Sequence, residues 1–151
     1  MTGAARGIGR AIALRLAQEG INLALVDLSD DVDDCASEVR KLGVKAATRL
    51  VDVSDAEAVA SSVAELADEL GPISILVNNA GLVKNIAPTG KMAVDAWETE
   101  LAVNLSGPFN LIRALVEPMA KAGWGRIIDI SSVAALGCLH VPAGYSASKN
   151  G

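Results

Sequence analysis

Thr2-Gly3-Ala4-Ala5-Arg6-Gly7-Ile8-Gly9 runs directly into Arg10-Ala11-Ile12-Ala13-Leu14-Arg15-Leu16, and an apolar stretch, Ile21-Asn22-Leu23-Ala24-Leu25-Val26-Asp27-Leu28, follows Gly20. The first segment is a glycine-rich turn feeding a good helix former; the second reads as a strand that ends at acidic and Ser residues. A glycine turn at a helix N-terminus is an anion site. Its glycines let backbone approach a pyrophosphate, and the free amides and helix dipole favour the charge. The G-x-G-x-x-G fingerprint is not met, because Ile12 stands where its last glycine would fall. Asp27 strengthens the cofactor reading over that of a mere tight turn. It ends the strand eighteen residues beyond Gly9, where a carboxylate can accept hydrogen bonds from an adenosine ribose and repel a 2'-phosphate. NAD is therefore expected ahead of NADP, although Arg6 in the glycine loop pulls toward NADP.

The alternation continues outward. From Asp30 the apolar positions Val32, Cys35, Val39 and Leu42 mark one helical face, with Gly43 as the stop. Lys45 to Val53 reads as a second strand. Ser54 and Glu57 form a capping box ahead of Val59, Val63, Leu66 and Leu70, and Gly71-Pro72 closes that helix. Ile73 to Val77 is a third strand. A long helical stretch from Ala93 to Lys121 carries Pro108 and Pro118 as expected kinks or breaks. Arg126 to Ser131 is a fourth strand, and a last helix begins near Gly144. Strands separated by helices imply parallel βαβ units with right-handed crossovers, hence an α/β Rossmann-type doubly wound sheet in a single domain over 1–151.

Composition bounds the function. The 151 residues are 51% hydrophobic but only 3% aromatic, so the core is built from Ala, Val, Leu and Ile, as helices on a buried parallel sheet require. A net charge of -5 with no Lys/Arg cluster argues against nucleic acid. No apolar run reaches membrane-spanning length, and the start lacks the pattern of a signal peptide. Cys35 and Cys138 have neither metal-ligand spacing nor the number for a disulfide framework. A cytoplasmic protein is expected, and the sequon Asn104-Leu105-Ser106 is read as coincidence.

Tyr145, the chain's single tyrosine, stands four residues before Lys149 and thirteen after Ser132. Positions i and i+4 share a helical face, so a phenol and an ammonium there can face one cleft, where the cation favours phenolate. That is what a general acid/base needs. A Tyr-x-x-x-Lys pair alone is more often a packed ring beside a solvated amine, and its weight comes from the surrounding motifs.

With the glycine loop, Asp27 and the Ser/Tyr/Lys set together, the sequence resembles the short-chain dehydrogenase/reductase family, in its single-domain subtype. The resemblance places the cofactor loop at Gly3, Gly7, Ile8 and Gly9. It places an adenine-contacting pair at Asp52 and Val53, and the motif after the fourth family strand at Asn78-Asn79-Ala80-Gly81. The catalytic tetrad falls on Asn104, Ser132, Tyr145 and Lys149. The implied chemistry is hydride transfer between a nicotinamide and a carbonyl or alcohol carbon. Ser132 would place the substrate oxygen, Tyr145 would exchange its proton, and Lys149 would tune the phenol and hold the nicotinamide ribose. Asn104 would anchor a water in a proton relay; an ordinary helix-to-strand hydrogen bond is the alternative. Ser131 is expected to bond locally at the strand end, and His140 to be a loop residue beside the substrate pocket.

The segment from Gly123 to Gly151 looks most like the 3-oxoacyl-carrier-protein reductases, whose usual NADPH sits awkwardly with Asp27. A 3-hydroxyacyl or polyol dehydrogenase suits NAD better. By the same resemblance the family's first strand and last two strands are absent. The expectation is an incomplete sheet with a central gap, in a fragment of a longer, homo-oligomeric parent. The rival reading is a truncated, non-catalytic dinucleotide-binding or interaction protein.

Overall fold

The computed structural model describes residues 1–84, 86–136 and 143–151. Six α-helices and four strands alternate along it: α1 (Gly7–Gln18), β1 (Leu23–Asp27), α2 (Val32–Lys41), β2 (Ala46–Leu50), α3 (Ala56–Leu70), β3 (Ile75–Asn78), α4 (Val94–Leu101), α5 (Gly107–Lys121), β4 (Arg126–Asp129) and α6 (Ala143–Asn150). β1 pairs in parallel with β2, and β3 with β4. Among the described residues, Met1 and Thr2 join the two pairs. Thr2 bridges Val26 in parallel, its amide donates to the Val77 carbonyl at 3.0 Å, and the Val26 amide donates to the Met1 carbonyl at 3.0 Å. Beneath these residues a cavity of about 270 Å³ opens between Ala24 and Val26 on one side and Ile75 and Val77 on the other. The expected central gap is therefore present. The Met1 nitrogen donates to the Ala24 carbonyl there.

Strand alternation distributes the core. Successive side chains point to opposite faces, so Leu23 and Leu25 meet Ala13, Ala17, Val32, Cys35 and Val39 of α1 and α2. Val26 joins Val59, Leu66, Leu111, Leu115 and Met119 of α3 and α5 in a second cluster. Burying an aliphatic side chain such as Leu66 stabilises the fold by about 1.5–3 kcal/mol.

Three local expectations change. The cap of α3 is Asp55 rather than Ser54: its carboxylate accepts the Glu57 and Ala58 amides at 3.0 Å each. The Ser54 hydroxyl is already committed to Asp52 at 2.7 Å, and a carboxylate also complements the helix dipole. Neither proline breaks its helix. Pro108 falls in the first turn of α5, where a missing amide costs little, and Pro118 lies close enough to the end that the helix runs on to Lys121. The irregularity lies just before them, in a π-helical turn over Ala102–Ser106 that joins α4 to α5 and contains Asn104. Cys138 and His140 lie outside the described residues.

Candidate active site

The β1 end, the loop before α1 and the segment after β3 enclose a cavity of about 440 Å³. Its walls include Gly3, Arg6, Asp27, Asp52, Val53, Asn79, Ala80 and Gly81. Gly7, Ile8 and Gly9 are not among its lining residues and open α1 beside it. Ile8 is largely exposed.

Asp27 organises the cavity's rim. One carboxylate oxygen accepts the Ala5 amide at 2.9 Å; the other accepts the Leu28 amide at 2.8 Å and the Ser29 amide at 3.1 Å. The residue expected to face a ribose thus also holds the glycine loop to the strand end. Thr2 is a clip that the sequence reading did not single out. Buried at 2% exposure, its hydroxyl accepts the Asn79 and Ala80 amides at 3.1 and 3.0 Å. The Asn79 side chain donates back to the Thr2 and Gly3 carbonyls at 3.2 and 3.0 Å. Close approach fixes Gly9, since a Cβ there would overlap the Gly3 carbonyl and lie 2.6 Å from Asn79 Nδ2.

In the π-helical turn next to that cavity, Asn104 is buried. Its Oδ1 accepts the Leu82 amide at 2.8 Å, and its Nδ2 donates to the Leu82 carbonyl at 2.8 Å and to Ser148 Oγ at 3.0 Å. Asn104 thus ties the π-helical turn to the segment after β3 and to α6. Burial at 4% exposure also removes it as a glycosylation acceptor. The π-helical turn supplies the geometry, because a wide turn reorients side chains locally and is a frequent mark of functional positions.

Lys149 Nζ donates to the Ile130 carbonyl at 2.8 Å. Burial pushes its pKa down, and the Asp129 carboxylate works against that shift. The Ser131 hydroxyl donates to the Lys149 carbonyl at 2.9 Å. The expected local bond of Ser131 is thus a long-range tie between the end of β4 and α6. Ser132 Oγ accepts the Ala134 amide at 3.2 Å, capping a 3-10 turn over Val133–Ala135. Asn150 Nδ2 donates to the Ala135 carbonyl at 2.7 Å, so this turn is fastened to the helix carrying Tyr145 and Lys149.

The two halves meet at Gly81. A Cβ built there would lie 3.2 Å from Asn104 Oδ1 and 3.3 Å from Lys149 Nζ. Backbone from the cavity wall therefore reaches the tips of two side chains from α6 and the π-helical turn. Glu100 was also missed: it is fully buried on α4, its carboxylate accepts the Lys84 amide at 2.7 Å, and Gly144 leaves room for it where α6 crosses α4. A carboxylate in a helix sequence gives no sign of such a position.

A glycine loop tied to an acidic strand end, with Lys149 Nζ of α6 brought to Gly81, agrees with the comparisons. The family model for short chain dehydrogenase matches residues 1–151. The chain belongs to the short-chain dehydrogenase family. D-threitol dehydrogenase of Mycolicibacterium smegmatis is 39% identical over all of this chain and 58% of its own length. 3-Oxoacyl-acyl-carrier-protein reductase FabG of Staphylococcus aureus is 35% identical, over all of this chain and 62% of its own length. Among solved structures, NAD+-bound xylitol dehydrogenase superposes with a TM-score of 0.95 at 35% identity, over 99% of this chain and 58% of that one. The chain thus spans about three fifths of the length of these short-chain dehydrogenases. Among the described residues, no helix is long and apolar enough to cross a membrane, and no group of three or more His, Cys, Asp or Glu could hold a metal ion.

Proposed function

We propose that the protein carrying this chain is an oxidoreductase that moves a hydride between NAD(H) and the carbon of a carbonyl or secondary alcohol. The observation that carries this reading is the convergence at Gly81, where the cavity wall meets Asn104 Oδ1 and Lys149 Nζ. The residues present fit the cofactor. Gly3 and Gly81 put backbone without a side chain at the wall, Asn79 spends its side-chain amide on the Thr2 and Gly3 carbonyls, and Asp27 and Asp52 supply carboxylates at the end where a ribose and adenine would lie. Bound there, the nicotinamide would supply or accept the hydride.

The chain's own groups would manage the oxygen. Tyr145 would give a proton to the substrate oxygen during reduction and remove it during oxidation. Ser132 accepts one bond through its oxygen and keeps its own proton to donate, so it can hold that same oxygen in place. Lys149 brings a cation to the phenol's helix and is oriented by the Ile130 carbonyl. Asn104 fixes the Leu82 backbone and, through it, the wall at Gly81.

NAD is favoured over NADP because the Asp27 carboxylate would face a 2'-phosphate, while Arg6 on the same wall is the one feature pulling the other way. The family resemblance and these relatives support two substrate classes, polyols and 3-oxoacyl thioesters, and Asp27 favours the polyol class. Replacing Tyr145 with Phe tests the assignment: turnover should fall by at least about a thousandfold, at the upper part of the range for acid/base groups, with NADH affinity within about twofold. Retained turnover sinks the role of Tyr145. Activity on a 3-oxoacyl thioester and none on polyols would reverse the substrate order.

A further inference from the structure

Ser148 sits inside Tyr145-Ser146-Ala147-Ser148-Lys149 and turns its hydroxyl to Asn104. At 3% exposure it is among the few buried polar side chains. Its hydroxyl accepts Asn104 Nδ2 at 3.0 Å and donates to the Tyr145 carbonyl at 2.9 Å. It therefore joins the π-helical turn to the first turn of α6, while Asn104 holds Leu82 with its remaining bonds.

We propose that Ser148 is a positioning residue, whose hydroxyl sets the seating of α6 against the cavity wall and thereby the placement of Tyr145 and Lys149. The consequence for Tyr145 and Lys149 rests on their roles under the proposed function; the tether itself rests only on the bonds above.

The physical case is one of satisfied donors. Asn104 Nδ2 carries two protons; one goes to the Leu82 carbonyl, and Ser148 Oγ takes the other. Deleting the hydroxyl leaves a buried N–H without that acceptor, which the structure relieves by letting α6 move off the π-helical turn or letting water enter. Either response changes what surrounds Lys149. Its ammonium is half-buried against the Ile130 carbonyl, with Asp129 facing it from β4 and Tyr145 on its own helix. The ties from Ser131 to the Lys149 carbonyl and from Asn150 to Ala135 hold α6 to the end of β4 and to the 3-10 turn, so loss of Ser148 loosens it on the side of the π-helical turn.

The test compares Ser148→Ala, Ser148→Cys and Ser148→Thr by following the titration of Lys149 with side-chain-labelled lysine NMR. The measurement needs neither cofactor nor turnover. Ser148→Ala and Ser148→Cys should raise the Lys149 midpoint toward the ordinary lysine value. Ser148→Thr, which keeps the hydroxyl, should leave it unchanged. An unmoved midpoint in Ser148→Ala, or equal shifts in all three variants, overturns the tether. If Ser148→Ala does not fold, the Cys and Thr pair decides on the same criterion. Kinetically, the loss should appear as about a tenfold fall in kcat with the NADH Kd within twofold, and Thr should rescue it. Absence of NADH binding in the full-length wild-type protein would defeat the proposed function while leaving the lysine titration to decide the tether.

Discussion

Asp27→Asn isolates the dual role of the strand-end carboxylate. In the structure one oxygen accepts the Ala5 amide, and the other accepts the Leu28 and Ser29 amides. Asparagine keeps one acceptor and replaces the other with a donor. With its oxygen toward Leu28 and Ser29, its NH2 faces the Ala5 amide, donor against donor. Leu28 is largely exposed, and water can serve its amide, but Ala5 is 5% exposed. Turned the other way, the oxygen keeps Ala5 and the NH2 faces the Leu28 and Ser29 amides, of which Ser29 is only half-exposed; either way the cost is mainly that of one shielded amide left unpaired, about 1–3 kcal/mol. In a chain of this size, each kcal/mol corresponds to roughly 2–4 °C in melting temperature, so a fall of about 2–12 °C is expected by thermal denaturation. In parallel fluorescence titrations, NADH affinity should fall by about tenfold or more, while NADPH affinity holds or rises because the charge facing a 2'-phosphate is gone. Two results refute the reasoning separately. An unchanged melting temperature means that Asp27 does not anchor the glycine loop. An unchanged ratio of NADH to NADPH affinity means that it does not set cofactor choice.

Two further outcomes test neighbouring positions. Gly81→Ala pushes a methyl against Asn104 Oδ1 and Lys149 Nζ, so turnover should fall at least about tenfold while the melting temperature moves by only a few degrees, since long side chains yield by small shifts; wild-type turnover would mean that the two halves do not act together. Asp55→Ala should cost about 1 kcal/mol in chemical denaturation, as loss of an N-cap does, and Ser54→Ala should cost less; the reverse order would restore the capping box read from sequence.

Much of the site was legible because its signals are local. The glycine turn, the strand after it and the acidic residue that ends the strand lie within one βα unit, where spacing alone fixes geometry. The Tyr145–Lys149 spacing is likewise a property of one helix. Capping at α3 shows how far such reading reaches: the sequence offered adjacent cap formers, and Ser54 lost because Asp52 had already taken its hydroxyl. Ser131 shows the same limit. Its hydroxyl was free to bond anywhere within reach, and the partner it found belongs to α6.

By itself the sequence determined the alternation of strands and helices, the family, most of the residues that line the cavity beside α1, and the Ser/Tyr/Lys spacing. Periodicity and backbone chemistry act between near neighbours, and near neighbours are written consecutively. Only the tertiary structure decided that Thr2 clips Asn79 and Ala80, that Asn104 is tied to Leu82 and Ser148, that Glu100 is buried beneath Gly144, and that Gly81 is where cavity wall and α6 meet. Each of these joins groups from different βα units. Burial makes the pairing of such polar groups obligatory, but which partner each one finds depends on how the sheet and its helices pack.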